Sequence, residues 1–200
     1  MKPGIIILAA GESARMGVPK QLLEYRGKTL LERTADVALE VSDSVIVVLG
    51  SRAEQIWKAW NEPRVMVVEN PRWSQGMGGS LAIGLQSLLI AKPATHASIF
   101  LLCDQPLLTA TVLRRLIATH LNSGSVIVAS EYNETLGVPA LFHASLFPEL
   151  LALKGKEGAR KVIQSHPSHV VGVPFAEGSL DIDTPADWAQ LHISTTLMPL

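Results

Sequence analysis

Cysteine is almost missing from this chain, with Cys103 the only one in 200 residues. A lone thiol excludes an internal disulfide and a cysteine-rich metal site, and it suits a reducing compartment, so the cytoplasm is the expected location. An excess of either charge is missing too, since 17 Lys and Arg face 18 Asp and Glu. That balance provides no basic field to hold nucleic acid or anionic lipid, and neither is expected as a partner. Long apolar runs are absent: nothing approaches the about 18 residues needed to cross a bilayer. The run after Met1 and Lys2 is cut at Gly11 and followed by charges, which is too short for an export signal. Histidines are few and scattered, and His143, His166 and His169 lack the spacing of zinc ligands.

What the chain does have is apolar residues, 48% of the total, in a length that suits one ordinary domain burying roughly 70% of its unfolded surface. Apolar runs that read as buried strands fall at 5–10, 44–49, 65–69, 98–102 and 125–129. Helix-period segments lie between them at 30–41, 53–60, 80–89 and 110–121. This alternation predicts a parallel sheet with helices on both faces and ligands outside the carboxyl ends of the strands, where Gly11, Asn70 and Asp104 all fall. After about residue 130 the rhythm turns to α+β, with a strand at 137–142, helices near 144–153 and 157–164, and a strand at 170–173. No linker separates this half, so it reads as an elaboration of one sheet. Residues 194–200 read as a loose tail.

The segment from Leu8 to Lys20 follows a buried strand with Gly11, Arg15, Gly17 and Lys20. Backbone N–H groups at such a glycine turn, with two cations close behind, suit a polyphosphate. Its spacing fits neither a P-loop nor a dinucleotide fingerprint. The plainer alternative is a strand-to-helix turn whose charges are merely solvated.

Asp104 ends a second buried strand in Cys103-Asp104-Gln105-Pro106, too early to cap the next helix, for which Thr109 is the better N-cap. A Mg²⁺ ligand is the favoured reading, while Cys103 reads as a small buried side chain. Asp181 and Asp183 flank Ile182 on an extended stretch that puts both on one face. Thr184 and Pro185 then read as N-cap and first residue of a terminal helix. With Asp104, this makes the oxygen-rich site that holds Mg²⁺ against phosphates. The loop from Asn70 to Ser80 carries three glycines, Gly76, Gly78 and Gly79, which implies close backbone approach to a ligand; the alternative is a flexible crossover with Ser80 as N-cap. Trp73, Met16 and Met77 suit core or pocket wall.

Six motifs occur in order: L-A-A-G-x-S-x-R-M-G-x-x-K from Leu8, N-P-x-W-x-x-G-M-G-x-S-L from Asn70, C-D-Q-P from Cys103, G-V-P-A-L-F from Gly137, G-A-R from Gly158 and D-I-D-T-P-x-D-W from Asp181. Together they resemble the MobA-like nucleotidyltransferases, and among them the molybdenum cofactor cytidylyltransferases. The resemblance implies a Rossmann-like three-layer α/β/α sandwich with a mostly parallel mixed sheet. It implies one domain over 1–193, with a nucleotide half to about residue 130 and an acceptor half beyond. It also implies transfer of a nucleoside monophosphate from an NTP to a phosphate monoester, with loss of pyrophosphate.

By motif position the resemblance gives Gly11, Arg15 and Lys20 to the triphosphate, Arg15, Lys20 and Asp104 to catalysis, and Asp104 with Asp183 to Mg²⁺ or Mn²⁺, Asp181 being the alternative to Asp183. Leu8, Ala9, Ala10, Gly11, Gly76, Gly78 and Ser80 would form the nucleotide pocket. Ala10 stands where GTP-using members tend to carry glycine, which favours CTP over GTP by shape. The implied acceptor is a molybdopterin-type phosphate, met by Gly137, Pro139, Phe142 and Arg160. The enzyme served would be a molybdenum hydroxylase of the xanthine dehydrogenase type. One departure stands out: Lys156 replaces the acidic residue expected before Gly158, and Glu157 is placed to compensate. Alternatives are the same chemistry on GTP or on another phosphate acceptor, or a non-catalytic carrier of the cofactor.

Overall fold

The computed structural model describes residues 2–196. In chain order its elements are β1 Gly4–Ala9, β2 Glu24–Tyr25, β3 Lys28–Thr29, α1 Leu30–Leu39, β4 Val45–Leu49, α2 Ala53–Ala59, β5 Val65–Glu69, α3 Met77–Ala91, β6 Ala97–Leu102, α4 Ala110–Ser123, β7 Ile127–Tyr132, β8 Thr135–His143, α5 Phe147–Ala152, α6 Ala159–Ser165, β9 Val170–Pro174 and α7 Pro185–Thr196. The tail expected at 194–200 is α7 as far as Thr196, and its remainder lies outside the described residues.

One seven-stranded sheet runs β5-β4-β1-β6-β8-β7-β9, and β2 with β3 forms a separate hairpin. The first four strands are mutually parallel, β8 is antiparallel to both β6 and β7, and β9 runs parallel to β7. The sheet is thus mixed and mostly parallel, as the resemblance implies, where the strand-helix alternation alone predicts a parallel one.

Strand periodicity divides the core in two. Ile5, Ile7 and Ala9 of β1 pack with Leu31, Ala35, Ile56, Leu113 and Leu116 of α1, α2 and α4. Ile6 and Leu8 of the same strand pack with Leu81, Leu85, Leu150, Val162 and Ile163 of α3, α5 and α6. Both faces of β1 are buried under helices, so its run of apolar residues needs no polar alternation. A third, smaller cluster of Tyr25, Leu30, Ile182 and Leu191 docks α7 against the β2 and β3 hairpin.

Three differences from the sequence reading have local causes. Helix α3 starts at Met77, because Gly76 at φ 119 supplies the turn into it; Ser80 lies inside the helix and is not its cap. Strand β7 runs on to Tyr132, since Asn133 and Glu134 at φ 47 and 56 close a two-residue hairpin to Thr135 without glycine. Phe142, expected at the acceptor, is fully buried and meets Phe100 edge-on at 5.8 Å between centroids, so it is core.

Candidate active site

In the sheet, Leu8 pairs with Leu102, so the chain leaves β1 and β6 side by side at their carboxyl ends. The glycine loop after β1 and the Asp104 loop after β6 therefore face each other. Ile182 N–H donates to Asp104 O at 3.0 Å, which lays the 181–183 stretch across the same rim. Sheet topology gathers two of these segments and the backbone bond from Ile182 brings in the third.

The loop after β1 is a preformed turn. Met16 and Gly17 N–H both donate to Ser13 O, at 2.9 and 3.2 Å, with Ser13 itself at φ 57. Lys20 N–H donates to Ser13 Oγ at 3.1 Å. Gln21 is buried, and its Nε2 donates to Ala9 O and Gly11 O at 2.8 and 3.2 Å. Sequence reasoning missed this side chain. The one signal for it is an uncharged polar residue set just before Leu22 and Leu23, in a segment that must fold back on β1. A Cβ built on Gly11 would meet nothing within 4 Å, so this glycine opens onto free space.

Lys20 is the centre of the cluster. Its Nζ donates to Asp104 Oδ2 at 2.5 Å and to Asp183 Oδ1 at 3.0 Å, and Arg15 Nη2 donates to the other Asp183 oxygen at 2.5 Å. The Lys20 and Asp104 side chains are only 14% and 12% exposed. Burial pushes the Lys20 ammonium down, but the Asp104 carboxylate and the bonds to Asp104 and Asp183 outweigh it, and the net shift is upward. Burial raises the Asp183 carboxyl, and Lys20 and Arg15 together hold it below its ordinary value. Asp181 stays outside the hydrogen-bonded bridge; surrounding protein and the charges of Asp104 and Asp183 push its carboxyl up to about 6. Burial pushes the Cys103 thiol up to about 12, which leaves no thiolate for nucleophilic work.

The donor set fits a hard divalent cation. Asp104 Oδ1 is buried with no hydrogen-bond partner among the described residues, an orphan that a cation would satisfy. Among the described residues no three His, Cys, Asp or Glu side chains gather as an all-protein cage. An ion here would complete its shell with phosphate and water oxygens, as Mg²⁺ prefers.

Beside the loop lies a cavity of about 300 Å³ lined by Leu8, Ala10, Gly11, Glu12, Trp73, Ser74, Gly76, Met77 and Ser80. Five of the seven residues assigned to nucleotide from sequence meet there. Ala9 does not, because alternation along β1 turns its methyl into the opposite core. Nor does Gly78, whose missing side chain leaves room for the backbone of Leu153 and Lys154, within 2.9 Å of where a Cβ would stand. Ser80 Oγ accepts from Asn70 Nδ2 at 2.9 Å, which fixes the Asn70 loop to α3.

On the far side of Asp104, Gln105 Nε2 donates to Val138 O and Gly178 O at 3.2 and 3.0 Å. Tyr132 fills the space that Gly137 leaves, with its hydroxyl donating to Val138 O at 3.1 Å. Pro139 is buried, whereas Arg160 and Lys156 are exposed. The carboxylate of Glu157 accepts from Lys154 N–H and pairs with Lys161, so it is committed to its own loop and helix.

Comparison with known proteins gives the chain's family and fold relatives. The nicotine blue oxidoreductase of Paenarthrobacter nicotinovorans is 32% identical over 90% of this chain and 91% of its own. The molybdenum cofactor cytidylyltransferase of Escherichia coli K12 is 28% identical over 92% of each. Among solved structures, Rv0371c from Mycobacterium tuberculosis H37Rv superposes with a TM-score of 0.80 at 32% identity, covering 96% of this chain and 97% of that one. A second crystal structure of Rv0371c is a complex with manganese, with a TM-score of 0.74 at 30% identity, covering 97% of this chain and all of that one. The family described as the MobA-like NTP transferase domain matches residues 5–170, and this chain is a member of it.

Proposed function

We propose that this nucleotidyltransferase moves CMP from CTP to the terminal phosphate of molybdenum cofactor and releases pyrophosphate, with Mg²⁺ or Mn²⁺ bound. The observation that carries the reading is the Lys20 bridge: two carboxylates and two cations converge beside an open glycine loop. Arg15 and Lys20 neutralise the charge that moves onto the leaving pyrophosphate. Asp104 and Asp183 would hold the metal, which when bound would neutralise phosphate charge at the reacting centre. Leu8, Ala10, Gly11, Gly76 and Ser80 wall the base and ribose side.

The acceptor phosphate oxygen attacks the α-phosphorus, the bond from that phosphorus to the bridging oxygen breaks, and its electron pair leaves with pyrophosphate. No covalent enzyme intermediate is needed, so the protein's task is positioning and charge neutralisation. The half beyond residue 130 receives the acceptor, with the exposed Arg160 on that side, while Gly137 and Pro139, expected there from the sequence, are buried and shape the wall from behind. Support for this acceptor comes from the cytidylyltransferase relative, and support for CTP over GTP from the Ala10 methyl in the cavity wall. The divalent ion is supported by the manganese complex of Rv0371c. The enzyme served is a molybdenum hydroxylase of the xanthine dehydrogenase type, in the cytoplasm. Among the described residues no helix is long and apolar enough to cross a membrane.

The test is pyrophosphate release from CTP and GTP with Mg²⁺, with and without molybdenum cofactor, in wild type and Asp104→Asn. Release that needs CTP and cofactor together, and is lost in the variant, supports the proposal. Cofactor binding with no release from either nucleotide replaces it with a carrier.

A further inference from the structure

We infer that Lys20 is the resident cation of the metal site, so that the protein takes up its divalent ion together with the triphosphate and not ahead of it. The inference rests on the nucleotidyl-transfer reading and adds the order and coupling of binding.

Three of the four oxygens on the two candidate metal ligands are already taken. Asp104 Oδ2 and Asp183 Oδ1 accept from Lys20, and Asp183 Oδ2 accepts from Arg15. The fourth, Asp104 Oδ1, has less than 1 Å² of accessible surface. An ion arriving alone would have to share these carboxylates with an ammonium within hydrogen-bonding distance of both. The Lys20 backbone cannot retreat, because its N–H is bonded to Ser13 Oγ and its carbonyl accepts from Leu23 N–H at 3.1 Å. Only the side chain can move, and its leaving is favoured where another anion receives the ammonium while the incoming cation compensates the two carboxylates. A triphosphate on the Gly11 loop is such an anion. Nucleotide therefore frees the metal site by drawing Lys20 away, and linkage requires each ligand to raise the affinity of the other by the same factor.

The experiment measures free Mn²⁺ by electron paramagnetic resonance during titration of wild type, Lys20→Met and Lys20→Arg, each with and without CTP. Wild type is expected to bind Mn²⁺ at least about tenfold more tightly with CTP present. Lys20→Met should bind Mn²⁺ alone about tenfold more tightly than wild type does, with the dependence on CTP much reduced. Lys20→Arg keeps the charge and should resemble wild type. If thermal unfolding shows that Lys20→Met does not fold, Lys20→Gln replaces it, with a neutral donor for the carboxylates. Equal affinity of wild type and the neutral variant for Mn²⁺ alone overturns the inference while leaving nucleotidyl transfer intact. Failure of wild type to bind CTP and Mn²⁺ in any combination overturns both.

Discussion

The methyl of Ala10 stands in the cavity wall against Gly50, where a Cβ on that glycine would lie 2.9 Å from the Ala10 Cβ. Ala10→Gly should widen the slot and raise kcat/KM for GTP relative to CTP by about tenfold, read from pyrophosphate release with each nucleotide. Asp104→Asn removes one charge from the Lys20 bridge without changing shape, and kcat should fall by about 10²-fold or more while the thermal transition persists. At this scale the sequence was informative for charge: Arg15, Lys20, Asp104 and Asp183 are brought together, Arg15 and Lys20 having stood out as cations in a glycine loop, Asp104 as a carboxylate at a strand end and Asp183 as one of two aspartates before the terminal helix. Gln21 was not legible, because a glutamine carries no charge pattern and its role depends on two carbonyls that only the folded loop presents. Phe142 was misplaced because an aromatic beside a candidate motif looks the same whether it faces ligand or core, and only register turns it toward Phe100.

The helices and loops around the site carry a second set of expectations. At Gly76, φ is 119 and an added Cβ would fall 2.2 Å from Gly155 O, so Gly76→Ala must part the start of α3 from the 153–158 loop. The variant should lose about 2–3 kcal/mol of stability in denaturant titration. Asp181 gives a pH signature in the metal-free protein. Its folded-state pKa of about 6 lies above the ordinary 3.8, so ionisation costs stability between those values and the full cost is present above pH 6. Asp181→Asn should therefore gain about 1 kcal/mol at pH 8, the side chain being exposed and screened, and nothing at pH 4. Element types were readable from periodicity, while boundaries moved where a turn used unusual residues. Arg26 and Asn133, at φ 52 and 47, close hairpins without the Asn-Gly or Asp-Gly pair that marks such turns in a sequence.

Across the whole molecule, one sheet joins the chain before residue 130 to the chain after it through β6 and β8; the loops after β1 and β6 meet because those strands are neighbours, and the 181–183 stretch joins them through its bond to Asp104. The alternation of strands and helices made the layered α/β architecture legible, since buried parallel strands must be wholly apolar. The position of β8 between β6 and β7 was not legible, because hydropathy does not record strand order. Binding at this shared rim should stabilise the entire fold. With CTP and Mg²⁺ together at about a hundredfold above their dissociation constant, Tm should rise by about 5–10 °C in a thermal scan. Nucleotidyl transfer is distinguished from other phosphate chemistry by which phosphorus of the nucleotide becomes bonded to the acceptor. Wild-type protein with molybdenum cofactor, Mg²⁺ and CTP labelled at either the α- or the γ-phosphorus decides it directly. Label from the α-position should appear on the cofactor and label from the γ-position in pyrophosphate; γ-label on the cofactor, or an unlabelled cofactor from both, would contradict the account.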